Sequence, residues 1–205
     1  MNKLTIARSE LILGGQKSGK SRRAEALAQS WLARSGQHRA VLIATAQAGD
    51  DEMRQRIARH QADRAERVPG MLTVEEPLEL AQTINAHSRA DTLVVVDCLT
   101  LWLSNCLMPL DEAAGSAGVS EEFIRNWPLA LGHKAREAIV LEAISGAPGP
   151  LVLVGNEIGL GVIPLGREVR AFVDALGVLN QSVAQVCQRV TLMAAGLPLT
   201  LKAVP

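Results

Sequence analysis

The chain has 205 residues and no formal net charge, because 21 acidic side chains balance 21 basic ones. This balance argues against a chain-wide electrostatic grip on nucleic acid or on an anionic membrane, and we expect neither as a partner. No apolar run approaches the roughly 20 residues that a membrane-spanning helix requires. The length is typical of one domain, and residues 1–205 are expected to form a single one.

The N-terminal residues and the cysteines indicate the compartment. Residues 1–8 lack the long apolar core of a secretory signal. Cys98, Cys106 and Cys187 are odd in number and form no C-x-x-C pair, which is typical of reduced thiols. We therefore expect a cytoplasmic protein.

Short apolar runs alternate with helix-like segments along the chain. The predicted strands cover residues 11–13, 40–44, 92–96, 151–154 and 190–194, and residues 71–74 are a candidate edge strand. The predicted helices cover residues 20–34, 50–63, 78–87, 99–107, 129–145 and 166–187, and a surface loop is expected at residues 109–120. Continuous apolar, β-branched runs are typical of a parallel sheet covered on both faces. The alternation predicts the α/β class, with a doubly wound, mainly parallel sheet.

A glycine-rich segment, GGQKSGKS at residues 14–21, lies between the first predicted strand and helix. It has the G-x-x-x-x-G-K-S pattern of a phosphate-binding loop in the required context. The glycines let backbone amides turn towards phosphate oxygens, and the start of the next helix adds its positive dipole end. Lys20 is expected to reach the outer phosphates, and the Ser21 hydroxyl to contact Mg²⁺. The alternative is a glycine-rich turn without a ligand, but this context favours a nucleoside triphosphate site.

A charged segment after the second strand contains a candidate nucleophile, His60. Two aspartates suit a helix start at residues 50 and 51, and four polar residues then recur every four positions on one face: Glu52, Arg56, His60 and Arg64. Arginines one turn away on each side would favour the neutral imidazole and could hold phosphate oxygens. Such an imidazole can attack a nucleotide phosphorus and carry it covalently. From the pattern alone, however, a solvated charged helix with an incidental histidine is the favoured alternative.

Polar residues also follow two later strands. Asp97 ends the predicted strand 92–96, at the sheet edge where ligands of open α/β sheets bind, and is expected to hold Mg²⁺. Its alternative role is the N-cap of the next helix. Asn156 and Glu157 follow the strand 151–154 in a shaped loop with two glycines and a proline, for which functional and structural roles stay open.

Seven segments, in this order, resemble the family of bifunctional adenosylcobinamide kinases and adenosylcobinamide-phosphate guanylyltransferases. They are GGQKSGKS (14–21), ATAQAGDDEMRQRIARHQADR (44–64), VEEP (74–77), VVVDCLTLWLSN (94–105), GNEIGLGVIP (155–164), NQ (180–181) and GLPLTLK (196–202). The phosphate loop alone is unspecific, whereas the R-I-x-x-H, D-C-L-T-L-W and N-E-x-G-x-G-x-x-P patterns together are specific.

The resemblance implies two reactions of adenosylcobalamin biosynthesis. A nucleoside triphosphate phosphorylates the terminal hydroxyl of adenosylcobinamide, and GMP from GTP is then joined to that phosphate, giving adenosylcobinamide-GDP and pyrophosphate. In this family GMP passes through a phosphoramidate on the histidine of the R-I-x-x-H helix, here His60. The family further implies GTP, or ATP in the kinase step, together with Mg²⁺, a RecA-like P-loop fold and a homotrimer.

The motifs and the resemblance together assign three groups of site residues. The catalytic residue is His60, and Mg²⁺ is expected at Ser21 and Asp97. The nucleotide-binding set is Gly14, Gly15, Gln16, Lys17, Ser18, Gly19, Lys20, Ser21, Thr45, Arg56, Arg64, Glu76, Asn156 and Glu157.

An alternative function is a P-loop motor or nucleotide-dependent switch that acts on nucleic acid or on a partner protein. The neutral charge and an aromatic content of 2% speak against strand binding.

Overall fold

The computed structural model describes residues 4–48, 51–108 and 131–204, apart from the side chains at positions 52, 53, 56, 57, 60, 131 and 132. The surface loop expected at residues 109–120 and the first two residues of the helix expected at 129–145 lie outside this description.

One sheet of seven strands organises the described chain, in the order β3-β2-β4-β5-β1-β6-β7. The first six strands pair in parallel, and β7 is antiparallel to β6. The strands are β1 (Ser9–Gly14), β2 (Arg39–Ala44), β3 (Leu72–Glu75), β4 (Thr92–Asp97), β5 (Leu151–Val154), β6 (Arg189–Ala194) and β7 (Leu197–Ala203). The α/β fold with a mainly parallel sheet is confirmed, including the edge strand expected at residues 71–74.

Helices cover both faces of this sheet, as the apolar strands require. They are α1 (Lys20–Leu32), α2 (Asp51–Arg67), α3 (Leu80–His87), α4 (Leu99–Leu107), α5 (Leu131–Gly146) and α6 (Arg167–Val186). Side chains of α3 to α6 share one buried core, in which Trp102 is fully buried. The core on the other face contains Ala24, Leu27 and Ala28 of α1 together with Val68.

Helix α2 ends four residues beyond its expected end at residue 63. Its apolar residues are few, but Arg64 and Val68 are buried where the helix ends. Val68 belongs to the core that α1 forms with the sheet, so tertiary packing stabilises the extra turn.

The β6–β7 hairpin is a correction to the sequence analysis, which predicted no strand after residue 194. Ala195 and Gly196 both have positive φ angles, 51° and 79°, as in the two-residue hairpin turns that match strand twist. Pro198 weakens the strand pattern, yet it is tolerated because β7 lies at the sheet edge.

The described part of the chain contains no helix long and apolar enough to cross a bilayer. Its cysteines are free thiols, as expected. Burial raises the pKa of Cys98 and of Cys106 to about 11, and that of Cys187 to about 12.

Candidate nucleotide-binding site

The glycine-rich loop joins β1 to α1 at the carboxyl edge of the sheet. Gly14 has no room for a side chain, because a Cβ atom would lie 2.5 Å from the Met193 carbonyl oxygen and 2.6 Å from Ser18 Oγ. Gly19 is the N-cap of α1, with a φ angle of 101° and no side-chain capping bond. The first amides of α1 therefore lack a side-chain acceptor, which leaves the helix start suited to an anion.

Lys20 is folded back over the loop and only 8% exposed. Its Nζ donates a hydrogen bond to the Gly15 carbonyl oxygen at 2.6 Å. Burial lowers the pKa of Lys20, whereas the charges of Cys98 and Asp97 oppose this shift. An ammonium group has three donors, so this contact leaves capacity for phosphate oxygens.

Two polar atoms in the segments that follow β1 and β2 are buried without a hydrogen-bond partner among the described residues. One is Ser18 Oγ, inside the loop, and the other is Gln47 Oε1, three residues after β2. A buried polar atom without a partner is costly, and a bound ligand would supply the missing partner. Ser18 belongs to the predicted site, whereas Gln47 was not among the predicted residues.

Asp97 ends β4 and is half-buried close to Lys20. Cys98, not Asp97, is the N-cap residue of α4, and no side-chain capping bond is present there. The capping alternative is therefore wrong for Asp97. Carboxylate and hydroxyl oxygens are the donors that Mg²⁺ prefers, so the chemistry of Asp97 and Ser21 fits this ion. The described residues contain no cluster of three or more acidic, histidine or cysteine ligands.

Thr45 forms hydrogen bonds with the backbone of Asp97 and of Cys98. Its amide donates to the Asp97 carbonyl oxygen at 3.1 Å. Its hydroxyl donates to the Cys98 carbonyl oxygen at 2.7 Å and accepts from the Cys98 amide at 2.9 Å. Thr45 is fully buried, so its side chain is not exposed to a nucleotide in this conformation. Asn105, which had no predicted role of its own, donates to the Thr45 carbonyl oxygen at 2.7 Å.

Glu76 lies beside Thr45 and directly follows β3, the neighbour of β2 in the sheet. Its amide donates to the Ala44 carbonyl oxygen, and its Oε1 accepts from the amides of Leu78 and Glu79. One carboxylate oxygen is thus used to fix the turn into α3. A nucleotide contact by Glu76 stays a prediction.

Asn156 and Glu157 lie on the other side of the loop. The Glu157 amide donates to the Gly14 carbonyl oxygen at 3.1 Å, and the Asn156 amide donates to Thr100 Oγ1 at 2.8 Å. Glu157 and Leu160 line a cleft of about 410 Å³ with residues 15–18 of the phosphate loop and residues 192–195 of the hairpin. The expected position at the phosphate-loop edge is confirmed, and the binding role stays a prediction.

The candidate histidine lies in the middle of α2, and the side chains of His60 and Arg56 are outside the description. One turn after His60, Arg64 is only 8% exposed. The last turns of α2 contact both neighbours: Arg67 Nε lies 3.2 Å from Glu25 Oε2 of α1, and Gln61 Nε2 donates to Glu75 Oε1 of β3 at 2.8 Å. The helix is thus anchored at its C-terminal end beside the phosphate-loop helix.

Comparisons with known proteins agree along nearly the whole chain. A family model described as "Cobinamide kinase / cobinamide phosphate guanyltransferase" matches residues 10–201. The bifunctional adenosylcobalamin biosynthesis protein CobP of Pseudomonas aeruginosa is 47% identical over 197 residues, which are 96% of this chain and 98% of that protein. The bifunctional adenosylcobalamin biosynthesis protein CobU of Escherichia coli is 33% identical over 192 residues, covering 94% and 98%.

A solved structure from Pyrococcus horikoshii OT3 superposes with a TM-score of 0.51 at 10% identity, covering 99% of this chain and 90% of that one. This likeness shows the fold alone.

Proposed function

The chain belongs to the cobinamide kinase/cobinamide phosphate guanyltransferase family. We therefore propose that His60 carries GMP from GTP to adenosylcobinamide phosphate in the second reaction. The chain is an enzyme of adenosylcobalamin biosynthesis with both a kinase and a guanylyltransferase activity. The alternative of a motor or switch is not favoured.

The kinase reaction uses the phosphate loop. The loop amides and Lys20 hold the triphosphate, and Lys20 stabilises charge on the transferred phosphoryl group. Ser21 and Asp97 would hold Mg²⁺, which supplies positive charge to the phosphate oxygens when bound. The hydroxyl oxygen of adenosylcobinamide bonds to the terminal phosphorus, the bond to the nucleoside diphosphate breaks, and the hydroxyl proton leaves to solvent.

Guanylyl transfer proceeds in two steps. A neutral His60 nitrogen attacks the α-phosphorus of GTP, so that a nitrogen–phosphorus bond forms and pyrophosphate leaves. A phosphate oxygen of adenosylcobinamide phosphate then attacks the same phosphorus, and the bond to histidine breaks to give adenosylcobinamide-GDP. Arg56 and Arg64 hold phosphate oxygens, and Glu76, Asn156 and Glu157 complete the nucleotide site. The buried Thr45 supports this site through its bonds to the backbone of Asp97 and Cys98.

One observation carries this assignment: the helix that contains His60 is anchored beside the phosphate-loop helix, at the sheet edge that also contains Asp97. A histidine on an unanchored, fully solvated helix would have no fixed relation to a bound triphosphate. The burial of Arg64, one turn beyond His60, argues against the solvated-helix alternative.

Labelling tests the proposal. The enzyme is incubated with GTP labelled at the α-phosphate and then denatured. We expect the wild type to retain GMP in an acid-labile, alkali-stable bond, and His60→Ala to lose all label while keeping much of its kinase activity. His87→Ala, at the end of α3, is the matched control and should keep the label. Retained label on His60→Ala would remove this residue from the mechanism.

The assembly is the remaining part of the proposal. We infer one kinase/guanylyltransferase domain that assembles as a homotrimer and binds no nucleic acid. Large apolar side chains are exposed in the loop after β5 and on β7, which supports burial against another copy: Leu160, Val162, Ile163, Leu165, Leu197, Leu199 and Leu201.

A further inference from the structure

Glu25 is a buried acid at the contact between α1 and α2. It lies one helical turn beyond Ser21 and is only 8% exposed. Its Oε2 is 3.2 Å from Arg67 Nε, but the two groups are misaligned, so that this oxygen accepts no hydrogen bond from the described residues. The contact is therefore electrostatic. Burial raises the pKa of Glu25, whereas the charges of Arg67 and Arg64 lower it.

The other described contacts of the last turns of α2 are weaker or peripheral. Gln29 Nε2 reaches the Arg67 carbonyl oxygen only at 3.4 Å, and the Gln61–Glu75 bond is exposed. Val68 packs into the core but lies just beyond the helix. Arg67 Nε donates to the Asp63 carbonyl oxygen at 3.0 Å, and Arg67 Nη2 lies 3.5 Å from Asp63 Oδ2, but both contacts lie within α2 and cannot attach it to a neighbour. Glu25 thus supplies the buried charge that faces Arg67 of α2.

The positions of these arginines connect Glu25 to the candidate nucleophile. Arg64 and Arg67 follow His60 by four and seven residues, so their backbone positions lie on one face of the helix. Seven residues of α-helix span about 10 Å, and a short helix of this length is rigid over that distance. A restraint on Arg67 therefore restrains the position of residue 60.

We propose that Glu25 is a positioning residue for guanylyl transfer, whose buried carboxylate holds Arg67 of α2 against α1 and so fixes His60 relative to the bound triphosphate. This role rests on the proposed function of His60. The kinase reaction depends on the phosphate loop and Asp97 and does not use α2, so the two activities of one enzyme respond differently to loss of this contact.

The experiment measures both activities of each variant. Guanylylation is followed as the rate of label uptake from α-labelled GTP, and the kinase reaction as adenosylcobinamide phosphate formed. Glu25→Gln keeps the side-chain size and removes the charge. We expect guanylylation to slow by about tenfold or more, because a small misplacement of a reacting group is costly, with kinase activity within about twofold of the wild type.

A double-mutant cycle separates positioning from general destabilisation. Arg67→Met should reproduce the guanylylation defect, and the double variant with Glu25→Gln should be no worse than either single variant, because both remove one interaction. Arg67 is 43% exposed, so Arg67→Met tests the contact even where Glu25→Gln fails to fold. Asp63→Asn is the matched control: it removes the other carboxylate near Arg67 and should guanylylate within about twofold of the wild type.

Three results would overturn the inference: wild-type guanylylation rates in Glu25→Gln and Arg67→Met, an equal fall in both activities, or additive defects in the double variant. Failure of the proposed function gives a different result. In that case the wild type takes up no label, or His60→Ala takes up label as the wild type does.

Discussion

The buried hydroxyl of Thr45 holds the backbone next to Asp97 in place. It both donates to and accepts from the backbone of Cys98, the residue after Asp97. Thr45→Val preserves the shape but leaves the buried Cys98 amide without a partner, while the Cys98 carbonyl oxygen keeps only its bond from the Trp102 amide. We expect a loss of about 1–3 kcal/mol in the free energy of unfolding. We also expect slower phosphorylation of adenosylcobinamide, because Asp97 loses its support.

Urea unfolding and the kinase assay measure these two effects, and Thr45→Ser is the matched control because it keeps the hydroxyl. If Thr45→Val were as stable and active as Thr45→Ser, the bonds to Cys98 would have no role in holding Asp97.

Most elements could be predicted because their signals are local. The strands at residues 40–44, 92–96 and 151–154 are continuous apolar runs, and the phosphate loop has its motif between a strand and a helix. Strand β7 has alternating leucines, but they are exposed, and Pro198 and the absence of an Asn-Gly or Asp-Gly turn obscured the hairpin.

Positioning contacts were not predictable, because their partners are far apart in the sequence. Thr45 meets Cys98 across 53 positions, and Asn105 meets Thr45 across 60. The acid of α1 that faces Arg67 had no local signal beyond its place one turn after Ser21. Side-chain contacts of His60 with a nucleotide stay a prediction.

The turn between α5 and β5 provides a test at the level of elements. Gly149 packs against the turn between α3 and β4: its amide donates to Ser88 Oγ at 3.2 Å, and a Cβ atom would overlap the Arg89 carbonyl oxygen. Gly149→Ala must therefore push these turns apart. We expect it to lower the free energy of unfolding by about 1–3 kcal/mol or more, measured by urea denaturation.

The matched control is Gly146→Ala, in the last turn of α5, where an added Cβ meets no atom within 4 Å and alanine favours the helix. It should be neutral or slightly stabilising. Gly149 precedes β5 and lies at the sheet edge opposite the phosphate loop, so folded Gly149→Ala should keep both activities. Equal stability of the two variants would contradict the close packing of these turns.

For the whole molecule, the strand order separates two surfaces around the phosphate loop. Helix α2 joins β2 to β3 at one end of the sheet, whereas the cleft with Glu157 lies next to β6 near the other end. The histidine helix and the exposed loop after β5 therefore lie on different sides of the phosphate loop. Contacts between copies of the chain can therefore bury the loop after β5 and leave the side with α2 open.

That arrangement leads to a prediction about assembly. Val162 and Leu165 are 96% and 97% exposed, which is unusual for large apolar side chains grouped in one loop. We expect the wild type to sediment at three times the 21.9 kDa of one chain, and the double variant Val162→Glu/Leu165→Glu to sediment as a single chain, because buried unpaired carboxylates are costly in an interface. Ile139→Glu, on α5, changes an exposed apolar residue outside this loop and should keep the assembly. A wild type that sediments as one chain at all concentrations would reject the trimer. In that case, a raised KM for adenosylcobinamide in the double variant would indicate that the loop binds this substrate instead.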